Sequence, residues 1–156
     1  SYSVTGVQTC ALPISTNILP HMIINQGMFR QLLDGQTDKE IKALANISYQ
    51  IGLNDNIVDK EVNIDQKAPT DQEALDYHIH MLTEYVFPMG GQNWFDKVHH
   101  HWVKDRLYFH GFHRIGQKYS LFIQYLLEEY ANRYHFSLTH AQIEDGFVEL
   151  QFIPSK

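Results

Sequence analysis

The sequence predicts a single, mainly α-helical domain of about five helices that closes with a C-terminal β-hairpin, an α+β arrangement. Three observations carry this expectation: apolar residues recur at three- and four-residue steps along most of the chain, two capping boxes open helices, and an Asp-Gly pair sits between alternating runs near the C-terminus.

The first helix is expected over Ile18 to Leu33, where Leu19, Met22, Ile23, Phe29, Leu32 and Leu33 keep the helical period and Gly35 ends the run. Thr37 followed by Glu40 is a capping box, in which hydroxyl and carboxylate each satisfy an orphan N–H at a helix start. It opens a second helix whose stripe is Ile41, Leu44, Ala45, Ser48 and Ile51, up to Gly52. The acidic stretch Asn54 to Ala68 fits neither period and reads as a loop with one short element. A second capping box, Thr70 to Glu73, opens a third helix with Leu75, His78, Ile79, Leu82, Tyr85 and Val86 inward, ended by Pro88, Gly90 and Gly91.

A fourth helix is expected over Trp94 to Phe109, with Phe95, Val98, Trp102 and Phe109 inward. The fifth, from Gln117 to Tyr134, has the clearest stripe: Tyr119, Phe122, Ile123, Leu126, Leu127, Tyr130 and Tyr134. In the hairpin, Asp145-Gly146 reads as a two-residue turn with both residues at positive φ. It pairs Glu144 with Phe147 and puts Thr139, Ala141, Ile143, Val148, Leu150 and Phe152 on one face.

Residues 4–14, VTGVQTCALPI, are similar to the translation of a sequencing-library adapter, so residues 1–14 are set apart and the globular domain is taken as 15–156. The one cysteine, Cys10, falls in that segment. The remaining body has no thiol for a disulfide, a thiolate metal site or a nucleophile, which leads to the expectation of a reducing, cytoplasmic setting. No apolar run approaches the roughly 20 residues of a membrane span, so no membrane partner is expected. The net charge of −6 opposes a phosphate backbone, so nucleic acid is not expected either.

Seven of the ten histidines and both tryptophans fall between Asp76 and His113. His80 with Glu84, and His101 with Asp105, are each four apart; on facing helices these four would hold a divalent metal, the only cofactor suggested. Tyr85, Trp94, Trp102, Tyr108 and Phe112 are candidates for contact with a protein partner or a small apolar ligand. His110 and His113 flank Gly111-Phe112 in an expected connection, where a helix end would present both rings for metal or general-base work. His140 is expected to point away from the hairpin's packed face.

Two short matches cover too few residues to carry a family. His100 to Asp105, HHWVKD, resembles the HHxxxD start of the acyltransferase motif of the chloramphenicol acetyltransferase and condensation-domain superfamily, which implies His101 as general base. The glycine expected after the aspartate is Arg106 here, and the chain is short for that fold. Arg106 with His113, and Arg133 with His140, are similar to the arginine and histidine pair of HEPN ribonucleases, although each pair crosses an expected helix end.

No phosphate loop, nucleophile elbow or dinucleotide fingerprint is present. The expected function is therefore a non-enzymatic regulatory or interaction domain that binds a protein or small apolar ligand through its aromatic and histidine-rich middle. The alternative is a His/carboxylate metal protein with hydrolytic or redox activity.

Overall fold

Side-chain caps set where the helices begin. The computed structural model describes residues 25–54, 68–88 and 94–156; the adapter-like segment, the start of the expected first helix, nearly all of the acidic stretch and Gly90-Gly91 lie outside them. Helix α1 (Gln26–Asp34) starts at Asn25, whose side chain accepts the Met28 N–H at 3.1 Å. At the start of α2 (Asp38–Asn54), Thr37 Oγ1 accepts the Glu40 N–H at 3.3 Å and the Glu40 carboxylate accepts the Thr37 N–H at 2.7 Å. These donors hold the Glu40 carboxyl below the usual carboxylate range. Thr70 and Glu73 repeat the device at α3 (Asp71–Met81), at 3.2 and 2.8 Å. Helix α3 runs on into a π-helical turn, Leu82–Val86.

The segment expected to form the fourth helix is instead a β-hairpin, β1 (Lys97–Val103) and β2 (Arg106–Phe112). The described residues hold four α-helices and a four-stranded antiparallel sheet, not five helices and one hairpin. The reason lies in which side chains face inward. Val98, His100 and Trp102 pair with Gly111, Phe109 and Leu107, and a histidine and a glycine among them hide the two-residue period. Valine and aromatic content favours the pleated form. The turn is Lys104-Asp105, with Lys104 at φ 58°, a pair without the glycine that usually marks such a hairpin.

Helix α4 (Gln117–Arg133) follows, then β3 (Phe136–Ile143) and β4 (Phe147–Pro154). The strand order is β1-β2-β4-β3, so α4 carries the chain from β2 across β4 to β3, which runs parallel to β2 with β4 between them. Helix α4 packs on β3 and β4 and against each of the other helices. Its stripe Tyr119, Phe122, Ile123, Leu126, Leu127 and Tyr130 is buried against them. The sheet's inner face supplies Leu107, Phe109, Val148, Leu150 and Phe152, all fully buried. Each such side chain contributes about 1.5–3 kcal/mol on leaving water.

In the C-terminal hairpin Ile143 pairs with Val148 and Ala141 with Leu150, but a bulge between Leu138 and His140 puts Leu138, not Thr139, opposite Phe152. Gly146 is not among the residues at positive φ, so the turn is not the type its Asp-Gly pair suggested. Its glycine answers to close approach. A Cβ there would stand 3.1 Å from the His113 carbonyl oxygen, and the His113 N–H already donates to the Gly146 carbonyl at 3.0 Å. Gly146→Val is therefore expected to cost about 1–2 kcal/mol by overpacking this backbone contact. Urea denaturation checks it: an unchanged midpoint would show that the turn can move off His113 freely.

Candidate functional site

An apolar cavity of about 220 Å³ opens between α2, α3 and α4. Helix α2 supplies Ser48, Ile51 and Gly52; α3 and the π turn supply His78, Met81, Leu82 and Val86; α4 supplies Phe122, Leu126 and Tyr130; Phe87 and Trp94 complete the lining. The π turn shapes one wall. Its Phe87 N–H reaches the Leu82 carbonyl five residues back at 2.9 Å, which brings Phe87 under Leu82 on the inward face. Single π turns recur at functional sites.

The cavity's polar groups sit at its helical walls. The His78 Nδ1–H donates to the Ala74 carbonyl at 2.8 Å, because a carbonyl can only accept, and the neutral ring then presents Nε2 as an acceptor. The Tyr134 hydroxyl lies 3.4 Å from Nε2. Burial pushes the Tyr130 hydroxyl up to about 12, so it remains a donor across the physiological range. Tyr49 meets the Tyr130 ring edge-on at 4.9 Å. The Ser48 hydroxyl donates to the Leu44 carbonyl at 2.9 Å and keeps its oxygen lone pairs. An apolar chamber with a few convergent polar groups is the general form of a small-ligand site.

The five residues expected to contact a ligand or partner are not brought together in one place. Trp94 lines the cavity. Trp102 is a packing residue: its Nε1–H donates to Asp76 at 2.7 Å and its ring meets Phe136 at 5.5 Å. Tyr85 is exposed beside His80. Tyr108 and Phe112 lie on the opposite, outer face of the sheet, where Tyr108 stacks on His101 at 5.0 Å and Phe112 packs on Phe147 at 4.9 Å.

Nor does the expected metal set come together. His101 is on strand β1 and Asp105 in the following turn, so they share no helix face. His80 and Glu84 are exposed on α3 and its π turn. It is His100, not His101, that meets α3, 3.3 Å from Asp76 and 6.4 Å between rings from His80. As the side chains stand, no group of three or more His, Cys, Asp or Glu among the described residues could hold a metal ion. His140 does point away from the packed face, 3.6 Å from Glu149.

His113 and Ser120 resemble a nucleophile and its base only by type. The Ile115 N–H donates to His113 Nδ1 at 3.2 Å, so the ring proton is on Nε2 and donates to Ser120 Oγ at 2.6 Å. The serine proton goes on to the Glu144 carbonyl at 2.7 Å. The proton thus points from histidine to serine, the reverse of base activation. Both residues are buried, and the chain of bonds ties α4 to the turn end of the C-terminal hairpin, at Glu144 and Phe147.

No protein-family model, curated protein or solved structure matches the chain. Among the described residues no helix is long and apolar enough to cross a membrane.

Proposed function

We propose that the protein is a non-enzymatic binding module that takes a small, largely apolar ligand into the cavity between α2, α3 and α4. The observation that supports this reading is the chamber of about 220 Å³, which is nearly all apolar wall with His78, Tyr130 and Ser48 at its margins. An apolar cavity of roughly 150 Å³ accepts benzene, so this one has room for a ring and a short alkyl chain. A hydroxyl on such a ligand would find an acceptor or donor at Ser48 or Tyr130.

4-Propylphenol has this shape and serves as the probe. At a hundred times its Kd, a ligand bound only to the folded state adds about 2.7 kcal/mol, so the melting temperature is expected to rise by several degrees. Leu126→Trp and Met81→Trp, which fill the chamber from α4 and α3, are each expected to remove the rise. No rise in the parent, or an equal rise in both filled variants, would rule the cavity out as the site.

A further inference from the structure

The outer face of the sheet is not covered by any described element. Helix α4 packs on the inner side, and Trp102 and His100 of β1 face α3. Onto this outer face three histidines converge from two adjacent strands. His99 and His101 are two apart on β1, and His99 is the direct cross-strand partner of His110 on β2. Direct partners have Cβ atoms about 4.5–5.5 Å apart, and diagonal neighbours are still within reach of long side chains.

Two of the three ring pairs are close. His99 and His101 centroids are 5.4 Å apart, and His101 and His110 centroids 5.7 Å. With metal–nitrogen bonds of about 2.1 Å and tetrahedral angles, imidazole centroids around one zinc ion stand roughly 5 Å apart. The planes are near parallel, at 22° and 15°, so the in-plane lone pairs run side by side and do not meet at a point. Rotation about χ2, which is soft for histidine, changes that without moving either strand.

Two further features point to a ligand. His101 Nδ1 is buried without a hydrogen-bond partner among the described residues, a nitrogen whose lost hydration nothing on the protein replaces. The Glu149 carboxylate stands 3.3 Å from His110 Nδ1, the position from which a carboxylate fixes the tautomer of a metal-binding histidine and leaves Nε2 for the ion.

We propose that His99, His101 and His110 form a binding site for a zinc-class divalent cation, with Glu149 as a positioning residue behind His110. Three imidazoles suit such borderline ions, and the uncovered face leaves a fourth position to water or a small anion. This site is on the opposite side of the sheet from the helical cavity, so the two proposals stand or fall separately.

The test is calorimetric titration of the full chain, without a histidine tag, with zinc chloride. One equivalent is expected, together with a visible tetrahedral spectrum when cobalt(II) replaces zinc. His99→Gln, His101→Gln and His110→Gln are each expected to weaken zinc at least tenfold, and Glu149→Gln roughly 10–100-fold. His80→Gln should bind as the parent does. Circular dichroism confirms that each variant is folded. A parent that takes up no zinc, or a folded His101→Gln with parental affinity, overturns the proposal, as does a loss of zinc in His80→Gln.

Discussion

Phe109→Ala is expected to destabilise the protein by about 3–5 kcal/mol, the range for removing a buried phenylalanine from a core that cannot collapse around the gap. Phe109 is fully buried. It lies in β2 between His100 on β1 and Leu150 on β4, and its ring meets Phe95 at 6.1 Å. Strands on both sides hold the backbone in place, so neighbouring side chains cannot move in to refill the space. With a total stability of about 5–15 kcal/mol for a domain, the loss takes a large part of it. Phe112, on the same strand but the outer face and 50% exposed, is the internal control, and Phe112→Ala is expected to cost under about 1 kcal/mol. Urea denaturation of the two variants reads the difference. Equal losses would mean that the outer face is as well covered as the inner one.

That contrast also shows what the sequence could and could not reveal. Capping boxes are local, needing only a hydroxyl and a carboxylate three residues apart, so the starts of α2 and α3 were legible at Thr37 and Thr70. The α4 stripe was legible because its inward positions, from Tyr119 to Tyr130, are all large and apolar. Strands β1 and β2 were not, because their inward rows include His100 and Gly111, and neither residue marks a buried position. Gly111 is there for a tertiary reason: a Cβ would stand 2.3 Å from the Phe95 ring, a contact invisible along the chain.

The candidate sites were legible only in part, for the same reason. A helical reading of residues 94–109 placed His101 over Asp105, whereas the pleat sends His99 and His101 to one face and His100 to the other, and brings in His110 from the next strand. Glu149 joins them from β4, about forty residues further on. The cavity was hidden because its lining is the apolar stripes themselves. His78 falls on the α3 stripe, and its one signal as a site residue is a ring-bearing base among apolar residues.

Lowering the pH from 8 to 5 is expected to remove about 2 kcal/mol of stability through His113 alone. Burial is the main cause of its depressed basicity; Asp145 and Asp96 oppose the effect and Arg30 adds to it, and the result is a pKa lowered from 6.5 to about 4. The bonding agrees with the direction, since Nδ1 is engaged by the Ile115 N–H at 3.2 Å and has no room for a proton of its own. The folded state keeps the ring neutral while the unfolded chain takes up a proton as the pH falls through 6.5. The stabilisation is therefore complete above about pH 6.5, declines between there and about pH 4, and changes no further below. His100, which burial also shifts downward against the pull of Asp76, adds a dependence of the same sign. His113→Gln abolishes the titration and should flatten the curve, leaving mainly the part from His100. Urea midpoints at pH 8 and pH 5 for parent and variant decide the matter, and an equal drop in both would show that the His113 ring does not carry the dependence.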